Sequence, residues 1–182
     1  MKNLLFNREE EMSKTDIIKR VTEILTNHNQ IVVEEMKELA EDGKNFYIKY
    51  HDWCGEIVED IEEVGEYEKV LYAYWTVGYN REKEYGAYID WKENGSEIID
   101  QLCKAIENLG YEVQLEKYEY DEEEETDEII KGIDRYLMDK GYRLVILDTD
   151  SDSYHLYVIK ANEFDELIEQ GKRIKYRFYN EL

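Results

Sequence analysis

Tyr142-Arg143-Leu144-Val145-Ile146-Leu147, then Asp148-Thr149-Asp150-Ser151-Asp152-Ser153, then Tyr154-His155-Leu156-Tyr157-Val158-Ile159, reads as two strands joined by a polar turn. The flanks are rich in β-branched and aromatic residues, and Asp and Ser close turns through local side-chain hydrogen bonds. Working outward, Ile129, Ile130, Ile133 and Leu137 recur at helical spacing over residues 126–140, and Gly141 stops that stripe. On the other side, Asn162 caps a helix bearing Phe164, Leu167 and Ile168, and Gly171 ends it. Ile174, Tyr176 and Phe178 then alternate in a last strand, residues 173–179. This half reads helix–strand–strand–helix–strand.

The same order is expected upstream. A helix over residues 52–64 stops at Gly65, and strands at 69–77 and 85–91 are joined by Gly78-Tyr79-Asn80. A helix over 96–109 carries Ile98, Ile99, Leu102, Ile106 and Leu109 on one face before Gly110. Tyr111, Val113 and Leu115 alternate in a strand over 111–118. The two halves, 52–119 and 124–180, therefore predict an internal pseudo-repeat within one α+β domain over 51–182, an antiparallel sheet covered by helices. Residues 1–50 precede it as a leader, 1–12, and a helical segment. Ser13 and Asp16 form a capping-box pattern, Asn27-His28-Asn29 breaks the helix, and a second stripe runs from Val32 to Ala40 and ends at Gly43. Phe46, Ile48 and Tyr50 suggest a short strand.

The chain has 182 residues, with 45 acids against 23 bases and a formal charge of −22. A folded chain of this size exposes roughly 9,000 Å², which spreads about one net negative charge over every 400 Å². Such a surface disfavours direct nucleic-acid contact, which needs Lys and Arg, and anionic membranes. The 17 Tyr, 3 Trp and 4 Phe argue against disorder. No apolar run is long enough to span a bilayer or to serve as a secretory signal, so a cytoplasmic protein with Cys54 and Cys103 reduced is expected. The absence of proline, with little Ala or Gly, points to a low-GC bacterium or its phage.

Four stretches are candidates for chemistry. Residues 116–128 hold nine acids and one base, and Glu119, Asp121, Glu122, Glu123, Glu124 and Glu125 lie ahead of a helix start, where negative charge is favoured. Residues 56–68 hold seven acids and no base, with Glu59, Asp60, Glu62 and Glu63 at their centre. Both read as docking patches whose fields would steer a basic partner. Asp148, Asp150 and Asp152 have the alternating spacing that opens a calcium loop, but Ser153 stands where that loop needs Gly and Ile159 where it needs a bidentate acid. They remain a candidate for a looser divalent site. His51 and Cys54 have the spacing of a base and a thiol nucleophile, while Cys103 reads as a small core residue. The strand tyrosines would alternate between the core and an open face suited to protein binding. The nucleotide-binding, nucleophile-elbow and zinc-hydrolase motifs are missing from the sequence, and no cofactor is implied.

Tyr88-Ile89-Asp90-Trp91-Lys92 and Leu147-Asp148-Thr149-Asp150-Ser151-Asp152-Ser153-Tyr154 together resemble an uncharacterised bacterial domain-of-unknown-function family over roughly residues 70–170. The resemblance implies an α+β domain and carries no catalytic residues across. In size and acidity the chain is also similar in type to small immunity proteins that neutralise toxins. The expected function is a non-enzymatic acidic binding protein that neutralises or regulates a basic protein, as an immunity protein, antidote or phage inhibitor. If the target binds nucleic acid, the carboxylates would stand in for phosphates. The alternatives are a metal-dependent regulator or enzyme at Asp148, Asp150 and Asp152, and a homodimeric module whose acidity serves solubility. The basic segment Lys172, Arg173, Lys175 and Arg177 would weaken the docking reading if it paired with the acidic run.

Overall fold

The computed structural model describes residues 12–180, so the expected leader lies almost wholly outside the described residues. The α+β class holds. Two capped helices open the chain: α1, Lys14–Leu25, and α2, Gln30–Glu41. Ser13 and Asp16 form a complete capping box, and the Asn29 side chain accepts from the amides of Ile31 and Val32. Asn27 and His28 make the break between the helices by adopting positive φ, 46° and 63°. The short helices α3, Gly43–Lys49, and α4, His51–Cys54, follow, and then a 3-10 turn at Ile61–Glu63. Next come α5, Glu68–Val77; β1, Ala87–Asp90; α6, Gly95–Leu109; and α7, Thr126–Met138. The chain closes with β2, Tyr142–Leu147; β3, Ser153–Lys160; α8, Phe164–Arg173; and β4, Phe178–Tyr179.

The sheet is fully antiparallel in the order β1-β3-β2-β4, and β2 and β3 form the expected hairpin. Alternation along β3 assigns its two faces. The Tyr157 hydroxyl donates to the Ala73 carbonyl of α5 at 3.2 Å, and the Tyr154 hydroxyl donates to Asp127 of α7 at 2.6 Å. Thus α5 and α7 cover opposite sides. α1 packs on β3, α2 and α8, while α6 packs on β1 and β3. One continuous apolar core runs from Ile17 to Phe178, so the N-terminal helices share it.

Several expected elements are corrected. Residues 69–77 are helix α5, not a strand. Leu71, Tyr72, Ala73, Trp75, Thr76 and Val77 are all buried, which a strand buried on one face could not achieve. With no hairpin over 69–91, the pseudo-repeat is absent from the described residues. Residues 46–49 are also helical, with Tyr50 as the C-cap. Phe46 and Tyr50, four apart, both pack on Trp75 with ring centroids 4.8 and 4.5 Å away, and Ile48 is left 64% exposed. Gly43 opens α3 and does not end α2; Asp42 between them caps α3. The helix expected over 52–64 shrinks to α4 and the 3-10 turn. Residues 111–118 keep their alternation, with Tyr111, Val113 and Leu115 buried, but have no partner strand and end in a 3-10 turn at Leu115–Lys117. α8 continues through Gly171, whose missing side chain leaves room for the Phe178 ring, and β4 shortens to two residues.

Two polar devices lock the layers. Within the core, the Thr22 and Tyr72 hydroxyls lie 2.9 Å apart, and those of Thr76 and Tyr157 lie 2.8 Å apart. Each hydroxyl is satisfied where water cannot reach. Asp134 of α7 accepts from Arg143 Nε and Nη2, the Leu144 amide and Asn180, tying α7 to β2 and to the chain after β4. Replacing Asp134 with Ala leaves Arg143 and an internal amide without their acceptor, and is expected to lower stability by about 3 kcal/mol. Urea unfolding checks this; a loss near zero would show that the strands hold α7 without it.

Candidate functional site

The acidic stretch 119–125 is a surface loop between two tyrosines and the first turn of α7. Glu119 and Asp121 through Glu125 are all exposed, and none has a Lys or Arg of the described residues within 4 Å. The base of the loop is held by close packing. A Cβ on Gly132 of α7 would overlap the Tyr118 hydroxyl, and one on Gly95 of α6 would overlap the Tyr120 ring. The two rings stack at 16° with centroids 6.3 Å apart. Thr126 Oγ1 donates to the Glu93 carbonyl at 3.0 Å, joining the loop's end to the turn after β1. That turn carries Trp91, which is 52% exposed and has Lys92 Nζ 4.1 Å above its ring.

The other acidic stretch is exposed but partly engaged. Asp60 caps the 3-10 turn through the Glu62 amide, and Glu62 pairs with Lys44 at 2.5 Å; Glu59 and Glu63 are exposed. The 148–152 turn does not converge its carboxylates. Asp150 pairs with Lys69 at 2.6 Å, which holds its carboxyl below the usual range, and Asp148 pairs with Arg177 at 3.3 Å. Asp148 also accepts from the Asp150 amide, and Asp152 is exposed. Among the described residues, no group of three His, Cys, Asp or Glu side chains could hold a metal ion.

His51 is exposed next to Asp52, whereas Cys54 is buried, and burial pushes its thiol up to about 11. A thiol so far above neutrality is a poor nucleophile. Cys103 sits half-buried at the edge of the core. The basic segment does not neutralise the acidic loop. Arg177 pairs with Asp148, and Arg173 donates to Gln170.

The tyrosines do not form an open strand face. Tyr72 and Tyr74 lie on α5, and Tyr157 and Tyr176 are buried. Instead, Tyr74, Tyr79, Tyr88 and His155 form a compact group with ring centroids 4.8–5.3 Å apart. His155 has no accessible surface. Its Nδ1 lies 3.4 Å from Thr149 Oγ1, and its Nε2 has no partner. Nothing in the local sequence marks this histidine, since its neighbours in space come from α5 and β1.

Fold and surface together define an acidic α+β domain with an anchored anionic loop. The chain belongs to a domain-of-unknown-function family, DUF6630, whose model matches residues 17–181. The match begins within α1, so it takes in most of the N-terminal segment that the sequence resemblance left outside. No curated protein and no solved structure matches the chain. Among the described residues, no helix is long and apolar enough to cross a membrane.

Burial holds the His155 imidazole neutral and pushes its pKa down from the ordinary 6.5 to about 4. The unfolded chain takes up a proton below about pH 6.5, while the folded chain resists until about 4. The stability from this group is therefore complete above pH 6.5 and is lost as pH falls towards 4, a drop of about 3 kcal/mol. His155→Phe should flatten the pH dependence of urea unfolding across that window. An unchanged slope would exclude His155 as its source.

Proposed function

We propose that the protein acts by occupancy, as a non-enzymatic binding protein whose 119–125 loop engages a basic surface on another protein and thereby neutralises or regulates it. The observation that carries this reading is the loop itself. Its six exposed carboxylates have no described cation within 4 Å. Like charges crowded this way repel one another, and that repulsion is relieved when a cationic surface docks. The loop is also seated in advance by Tyr118 on Gly132 and Tyr120 on Gly95, which reduces the ordering cost of binding. Trp91, exposed two residues before the Glu93 that anchors the loop, supplies an aromatic anchor of the type that dominates interfaces. Lys92 Nζ lies 4.1 Å over that ring, a contact of the kind aromatic faces make with cations.

The reading makes the protein a stoichiometric inhibitor or antidote. A run of carboxylates this dense suits a target whose own ligand is a polyanion.

The test is capture of host proteins on immobilised wild-type chain, eluted by salt from about 50 to 500 mM, beside Glu122→Gln/Glu123→Gln/Glu124→Gln. A dominant basic partner that elutes within the gradient and is lost by the triple variant is expected. Equal retention by both, or retention insensitive to salt, would remove the loop from the interface. Gly132→Ala separates seating from charge. It keeps every carboxylate but forces Tyr118 away, and capture should weaken with the chain's charge unchanged. Capture as strong as wild type would show that seating is irrelevant.

A further inference from the structure

β1 is an edge strand, and a cleft of about 220 Å³ lies beside it, between the end of α5 and the face of α6. We propose that this cleft binds a primary alkylammonium group, presented either by a small free amine or by a lysine side chain. The site is separate from the acidic loop and shares no residue with it.

Size sets the first limit. Ligand pockets for drug-sized molecules run to roughly 300–1,000 Å³, so this one suits a single short chain with a polar head. Charge sets the second. Glu84 and Glu97 line the cleft against one cation, Lys104, which is exposed and in no described ion pair.

The two carboxylates differ in use. Glu97 already accepts from Gln101 Nε2 at 2.9 Å, and Gln101 in turn accepts from the Tyr88 amide on the free edge at 3.1 Å. The Glu84 carboxylate accepts no hydrogen bond from the described residues, although the residue's backbone carbonyl accepts from Asn108 Nδ2, and its Oε2 is buried. A carboxylate with one oxygen withdrawn from water and no donor holds its charge poorly solvated, a cost that a cation approaching its other oxygen would offset.

Tyr79 and Tyr88 complete the wall, their rings meeting at 72° with centroids 5.3 Å apart. The Tyr88 hydroxyl is paired with Ser153 Oγ at 3.0 Å. Aromatic surface beside carboxylates favours an ammonium on an apolar stem. A divalent metal is a poorer fit, because no third acidic, His or Cys side chain joins the two among the described residues.

The experiment is isothermal titration of the full chain with n-pentylammonium and, separately, with Nα-acetyl-lysine N-methylamide, in about 150 mM NaCl to suppress diffuse attraction to the charged surface. Saturable binding with a dissociation constant on the order of 1 mM is expected for at least one probe. Binding of both would mean that a lysine side chain suffices; binding of the free amine alone would assign the cleft to a small molecule. Glu84→Gln should weaken it by about tenfold or more, as loss of a charged acceptor does. Glu97→Gln, at an exposed position that leaves the fold intact, should weaken it severalfold, and Glu122→Gln/Glu123→Gln/Glu124→Gln should leave it unchanged. Absence of saturable binding by either probe overturns the proposal. So does equal binding by Glu84→Gln, or loss of binding in the loop variant. A fall in melting temperature on Lys104→Met with no amine binding in wild type would give Glu84 to Lys104 instead.

Discussion

The fold rests on one constraint: the β2–β3 hairpin has no polar face. Leu144 through Leu147 and Leu156 through Ile159 are all essentially without accessible surface, so the hairpin requires a layer on each side. α5 and α1 supply one layer and α7 supplies the other. The same constraint imposes a polar condition. Tyr157 buries a hydroxyl inside the α5 layer, and Thr76 and the Ala73 carbonyl must lie where they do to satisfy it. Thr22 does the same for Tyr72, which brings α1 into register with α5. The helices are thus oriented by hydroxyl pairs as well as by apolar contact.

The candidate sites follow from how that layered core ends. α6 and α7 start at one end of the molecule, next to the turn after β1, and the acidic loop spans the gap between the 3-10 turn after α6 and α7. Its tyrosines can lie flat because Gly95 and Gly132 present bare backbone to them. At the edge of the sheet, β1 has one unpaired side, and α6 covers it with Gln101 without filling the space beside it. The cleft is what this incomplete cover leaves.

Charge is distributed to match. Several bases of the described chain hold elements together. Arg20 bridges α1 to Glu166 of α8, Arg143 binds Asp134, and Arg81 stacks on Trp75 while contacting Glu35. These cations are engaged in the scaffold, and none of the described bases pairs with the 119–125 loop. The −22 charge is therefore not spread evenly, and the anchored loop is its densest exposed part.

Sequence alone determined whatever depends on neighbours in the chain. The capping box at Ser13, the break at Asn27 and His28, the stripes of α6 and α7, the β2–β3 hairpin and the exposed acidic run are all set by residues a few positions apart. What depended on distant partners was decided only by the tertiary structure. Residues 69–77 have strand composition, but they must cover a sheet face, and only a helix buries six of them at once. Residues 111–118 alternate as a strand would, yet they pair with no strand of the sheet. The carboxylates of 148–152 alternate as metal ligands would, but Lys69 and Arg177, far along the chain, draw two of them apart. The His155 cage and the β1 cleft were illegible for the same reason. Each is assembled from three elements, and periodicity in one dimension carries no record of which elements meet.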